Sequence, residues 1–314
     1  MNSMRKIKGW SREIGVAATI ALVYVVLFFL GRAYFSTENF SDLFMANVPV
    51  LIVSLGMLLV ILAGQIDISV GSQFAVCSVI AGAAAKAGMP PVLAALAACA
   101  AGALFGAAGG AFVAYLRIPS IVVTLAMMIA LRDGLRWLTQ GSWIEDLPAG
   151  FQWFSLSQGR YSGAIVALVA VLVVAAAAGL RYLRAGRAVL ATGSSEAAAR
   201  IAGIRTGRVV FSVFTLTGVL TGLAAALNAV RFHQIPSNAG LGLEMKVIAA
   251  VVVGGAAITG GSGTVLGTVL GVILLGSIGT GLTFLGVSAY WEKAIQGAII
   301  LVAVATNLAG RSRE

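Results

Sequence analysis

The sequence has 314 residues, of which 60% are hydrophobic and only 10% charged, with a mean hydropathy of +1.00. Ordinary soluble domains hold roughly 45–50% apolar and about 25% charged residues, so a soluble globular protein is excluded. The formal charge of +10 does not point to nucleic acid, because the basic residues fall in short clusters between apolar runs, the pattern that orients membrane helices.

The reading is an all-α polytopic membrane protein, a single transmembrane domain over 1–314. Arg5, Lys6, Lys8 and Arg12 precede an apolar run at 14–33. That run is long for a signal-peptide core and has no small-residue cleavage site after it, so it is predicted to be an uncleaved first span. Runs of roughly 20 apolar residues, the length that crosses a bilayer, recur at 43–64, 68–87, 92–115, 120–140, 162–180, 209–230, 246–260, 264–285 and 290–308. The total is about ten.

Between the second and third spans lies "AGQIDISVGS", with Gln65, Asp67 and Ser69 bracketed by Gly64 and Gly71. A charge inside a bilayer costs a few kcal/mol at least, which makes Asp67 a candidate for the translocation path together with Gln65 and Ser69. Equally, Asp67 is placed to cap the start of the third span. The fourth span carries Gly102, Gly106 and Gly110, and the ninth carries Gly267 and Gly271 behind Gly263; such four-residue spacing lets helix backbones approach closely. Thr124, Thr215, Thr217 and Thr221 are expected to bond their own helix backbones. Asn228, near the outer end of the seventh span, is a further path candidate. Arg132, Asp133 and Arg136 are read as a local charge pair with arginines reaching for the interface.

The loop 141–161 holds Trp143, Phe151, Trp153 and Phe154, and is expected to form an interfacial aromatic belt or an external segment facing a partner. The segment 181–208 has six arginines and one acid. With the basic N-terminal tail and the C-terminal "GRSRE", it is assigned to the cytoplasm. Within it, "SSEAAARIAGIRTGR" reads as a short helix over 194–203. Ser194 and Ser195 are its candidate caps, Glu196 favours its positive end, Arg200 and Ile201 project from it and Gly203 ends it. A plain linker would not need such a helix; a segment that docks on another protein would.

No Walker-type loop, GxSxG, HExxH or CxxC occurs, so no catalytic residue is assigned and no enzymatic activity is expected. Cys77 and Cys99 fall within spans and His233 stands alone, so no cofactor and no metal-ligand set are predicted.

Three stretches carry a resemblance. "SLGMLLVILAGQIDISVGS", "LRIPSIVVTLAMMIALRDGL" and "GLGLEMKVIAAVVVGGAAITGGSGTVLGTVLGVILLGSIGTGLTFLGVSAYWEKAIQGAIIL" are similar to the permease subunits of bacterial ATP-binding-cassette sugar importers, in the ribose/galactose/autoinducer-2/rhamnose branch. The resemblance covers about 43–308. Gln65 stands where a glycine is commoner, Arg132 matches a family arginine, and Glu196 sits one position early relative to Gly203.

The resemblance implies a fold like that of the vitamin-B12-type importers and a multi-pass protein of the bacterial inner membrane with both termini cytoplasmic. It implies cytoplasmic ATPase subunits, which carry the ATP-Mg and grip the coupling segment at Ser195, Glu196, Arg200 and Gly203. It also implies a periplasmic binding protein and a second permease, identical or paralogous. The cargo would be a small neutral sugar or sugar-like solute. The alternative is an ion-coupled secondary transporter that uses Asp67 as its carrier; a passive channel stands third.

Overall fold

The computed structural model describes residues 2–30, 32–287, 291, 294–295 and 297–298. Eleven α-helices are delimited among them: α1 Asn2–Leu30, α2 Thr37–Leu62, α3 Val70–Lys86, α4 Pro91–Ala114, α5 Ser120–Thr139, α6 Gln158–Tyr182, α7 Arg184–Ser194, α8 Glu196–Ile201, α9 Thr206–Ala229, α10 Leu243–Val253 and α11 Val265–Phe284. Short 3-10 turns occupy Arg32–Phe35 and Ala149–Ser155. The only extended pairing among the described residues is an isolated bridge between Ile144 and Ile235. The chain is thus an all-helical membrane protein, and α2, α4, α6, α9 and α11 are each long and apolar enough to cross a bilayer. The tenth expected span, 290–308, falls almost wholly outside the described residues.

Helix α2 is the hub. Of its apolar window 78% is buried, whereas α6 has only 11% buried and leaves Val166, Val171 and Val174 exposed. With backbone hydrogen bonds closed inside each helix, as a bilayer demands, side-chain size decides how closely the helices pack. The two glycine rows decide it here. A Cβ at Gly102 or Gly106 of α4 would run into the backbone of Gly218 or Phe214 on α9, and one at Gly267 or Gly271 of α11 into Gly254 or Ala250 beside α10. Each row therefore makes one close helix pair, α4 with α9 and α11 with α10. The four threonines behave as expected: Thr124, Thr215, Thr217 and Thr221 each donate to the carbonyl four residues earlier at 2.7–2.8 Å.

One end of the bundle gathers the turn after α2, the α7–α8 region and the loop before α11. Gly261 donates its N–H to the Leu62 carbonyl at 3.0 Å. Thr264 donates to Glu13 at 2.9 Å, which brings α1 at Glu13 to this same end. At the opposite end the loops 140–157 and 230–242 fold over each other. Their ties are the Ile144–Ile235 bridge, Trp153 N–H to the Val230 carbonyl at 2.9 Å and Ser237 to the Gly141 carbonyl at 3.1 Å. The aromatic loop is thereby tied onto the bundle, although most of its residues stay exposed. Phe151 is buried, and Trp153 and Phe154 pack on Tyr161, whose hydroxyl donates to the Leu227 carbonyl at 2.6 Å. Only Trp143 of the four aromatics stays open, at 52% exposure.

Besides α7 and α8, two helices in the apolar stretches are short: α3 has 17 residues and α10 has 11. At 1.5 Å per residue α10 is about 16 Å long, far less than a hydrocarbon core of about 30 Å, so one of its ends lies at mid-depth.

Candidate functional site

The turn 63–69 reverses the chain at the end of α2 with Gly64 at φ +76°, a value glycine reaches without strain. Asp67 is 1% exposed. Its Oδ1 accepts from the Ser69 N–H at 2.9 Å and the Ser69 hydroxyl at 2.6 Å, and its Oδ2 from the Gln73 amide at 3.5 Å. The Gln73 amide also donates to Ser69 Oγ at 2.8 Å. Only the Ser69 N–H is a backbone donor at the helix start; the other two are side chains, and the N-cap position of α3 is Ser69, with no side chain capping the helix. Asp67 is therefore enclosed in a local network with Ser69 and Gln73 rather than acting as the cap itself.

Gln65 parts from them. It lines a cleft of ≈ 490 Å³ at the α7–α8 end of the bundle, together with Arg117, Ser194, Ser195, Glu196 and Arg200. Gln65 is thus brought next to α7 and α8, which are neighbours that its position in the sequence does not reveal.

The segment expected to couple to a partner, 181–208, holds two short helices rather than one. α7 alternates apolar and basic residues at helical spacing and buries Gly186, Val189 and Thr192. Ser194 closes it by donating to the Leu190 carbonyl at 2.9 Å, so it does not cap the next helix. Ser195 does: its hydroxyl accepts from the Ala198 N–H at 3.3 Å and starts α8. Glu196 Oε1 accepts from Arg200 at 2.5 Å and from the Thr206 hydroxyl at 3.0 Å, while Arg200 Nε also donates to Thr206 at 3.1 Å. The triangle ties α8 to the start of α9. Gly203, at φ +82°, makes the turn between them. Past this frame Ile201 stands 89% exposed.

A second polar cluster sits deeper. Sequence proximity pairs Arg132 with its neighbours, but only Asp133 and Arg136 form the exposed local pair, at 3.7 Å. Arg132 turns inward. Its Nη2 lies 4.0 Å from Glu244 Oε2 of α10, and its Nε donates to Ser72 Oγ of α3 at 3.4 Å. Ser72 in turn donates to the Met128 carbonyl at 2.8 Å. Glu244 escapes a reading of the sequence because its partner lies far away along the chain. The signal that flags it is an acid in the first turn of a helix too short to span.

Asn228 joins neither cluster. It lies at the far end of α9, partly buried, beneath the loop that contains Trp153. The ring of His233 bonds Gln152 in that same pair of loops.

The family described as "Branched-chain amino acid transport system / permease component" matches residues 39–304. Similar curated proteins include the autoinducer 2 import system permease protein LsrC of Yersinia pseudotuberculosis serotype O:3, 36% identical over 93% of this chain and 83% of the relative. The LsrC of Yersinia enterocolitica serotype O:8 is 36% identical over 93% of this chain and 81% of the relative, and that of Yersinia pestis strain Pestoides F is 36% identical over 93% and 83%. No solved structure matches. With its helical bundle, its glycine-locked helix pairs and this match along most of its length, the chain belongs to the permease-component family of the branched-chain amino acid type.

Proposed function

We propose that this chain is the membrane subunit of an ATP-driven importer and forms the path for a small neutral, hydroxylated solute of the sugar or autoinducer-2 class. It carries no ATPase of its own. In this reading cytoplasmic ATPase subunits grip α8, a periplasmic binding protein delivers the solute, and a second permease, identical or paralogous, completes the path. The fold is about ten spans of the vitamin-B12-importer kind in the inner membrane, with both termini inside.

One observation carries the reading: the cleft that joins Gln65, at the membrane break, to Ser195, Glu196 and Arg200 on the helix that presents Ile201. A push on α8 reaches α9 through Glu196 and Thr206, and reaches the 63–69 turn across that cleft. Rigid-body displacement of packed helices is a common way to switch access. An exposed ion pair such as Glu196–Arg200 contributes a few tenths of a kcal/mol, so its use here is to fix the shape of a docking knob rather than to stabilise the fold.

The test is uptake by the assembled importer carrying Arg200→Glu with Gly203→Pro. Uptake is expected to fall at least tenfold while the permease stays folded in the membrane. Normal uptake would refute the docking role. The ion-coupled alternative is disfavoured because both oxygens of Asp67 are already engaged by Ser69 and Gln73.

A further inference from the structure

The Ser72–Arg132–Glu244 cluster lies near half depth. Glu244 opens α10, about 16 Å of helix above the loop that meets α7 at Gly193 and Gly261. Ser72 lies ten residues, about 15 Å, below Gly82 of α3, where an added Cβ would meet Ile144 and Ile235 of the opposite loops. Three elements, α3, α5 and α10, therefore bring one hydroxyl, one guanidinium and one carboxylate to the same level.

The pair is charged, enclosed and incompletely satisfied. The side chains of Arg132 and Glu244 are 16% and 9% exposed. At 4.0 Å they attract but do not hydrogen-bond, and Arg132 Nη2 and Glu244 Oε2 are both buried without a hydrogen-bond partner. Buried polar atoms left in this way call for an explanation. Gly71 adds another: an added Cβ there would strike the Glu244 carboxylate, so α3 is shaped to let that carboxylate lie against its backbone.

We propose that Arg132 and Glu244 form the mid-depth contact for the transported solute, one of whose hydroxyls inserts between them. A hydroxyl both accepts and donates. Accepting from the guanidinium at about 2.9 Å and donating to the carboxylate at about 2.7 Å, it bridges a gap only slightly wider than the one observed. The two charges cancel, so the contact favours a neutral polyhydroxy molecule over an ion. Ser72 holds the guanidinium in place through Nε. The contact also ties α5 to α10, so an entering hydroxyl loosens the link between these helices at the point where α10 begins.

This inference rests on the importer reading, and the experiment separates the two. The permease, its ATPase and its binding protein are reconstituted in proteoliposomes, with labelled autoinducer 2 as probe and ATP inside. Arg132→Gln and Glu244→Gln are each expected to lower uptake at least tenfold. The exchanged pair Arg132→Glu with Glu244→Arg is expected to remain inactive, since the guanidinium would leave Ser72, which holds it through Nε, and would take the place beside Gly71 that is shaped for a carboxylate. Ser72→Ala keeps both charges and is expected to lower uptake several-fold; it decides the matter if the charge variants fail to assemble. Uptake within twofold of wild type in the single variants or in Ser72→Ala overturns the contact. So does full recovery in the exchanged pair, the mark of a purely structural ion pair. A wild-type assembly without ATP-driven uptake overturns the importer reading and this contact with it.

Discussion

Asp67 shows how a residue's type can suggest one role and its contacts another. Its oxygens serve the Ser69 N–H, the Ser69 hydroxyl and the Gln73 amide. Removing them in Asp67→Ala leaves three buried donors short, at a cost of about 1–3 kcal/mol. A clearly lowered thermal midpoint of the solubilised protein is the expected outcome. Asp67→Asn keeps one accepting oxygen and is expected to retain most uptake. An ion carrier would behave the other way, with Asp67→Asn folded but inactive. Gly71 is the second informative position. Gly71→Ala drives a methyl into the Glu244 carboxylate and within 2.7 Å of the Gly240 carbonyl. Overpacking of this kind costs about 1–3 kcal/mol, and a loss of both stability and uptake is expected. Gly163→Ala in α6, where nothing lies within 4 Å, is the control and should change neither.

At the scale of elements, the glycine rows were legible from spacing alone, and their partners were not. Four-residue spacing announces a close approach, but only the fold shows that α4 meets α9 and α11 meets α10. Gly218→Val is expected to force α4 and α9 apart, since the obstacle is the backbone of Gly102 and no rotamer avoids it. A fall in thermal midpoint and in the yield of folded protein from membranes would register this; an unchanged midpoint would contradict the packing. The coupling segment was legible in part. Ser195, Glu196 and Gly203 take the cap, first-turn and terminal positions that short-range rules assign. α7 was missed because a helix with three buried positions and two arginines reads as a charged linker. Ser194 and Ser195 stand as equal cap candidates in the sequence, because either of two adjacent serines can cap, and the bonds of Ser195 to Ala198 and of Ser194 to Leu190 decide for Ser195.

For the whole molecule, the clusters of basic residues put the N-terminal tail and the 181–208 segment on one side, and the Thr264–Glu13 bond brings α1 at Glu13 to the end where α7 and α8 lie. What no local rule supplies is the assembly of distant polar groups: Arg132 with Glu244, and Gln65 with Glu196. Such pairs depend on how α3, α5 and α10 fold back on one another, which neither periodicity nor composition encodes. The proposed orientation puts α8 in the cytoplasm. Ile201→Cys, at a position 89% exposed, is therefore expected to react with a membrane-impermeant thiol reagent in inverted vesicles and not in intact cells. Labelling from the outside would reverse the topology.

The central claim is that transport is powered through α8 by a separate ATPase. The direct measurement compares solute accumulation in liposomes containing the permease alone with liposomes that also contain its ATPase and binding protein. Accumulation only in the complete set, dependent on ATP and insensitive to an uncoupler, is the predicted result. Accumulation by the permease alone, driven by an ion gradient, would contradict it.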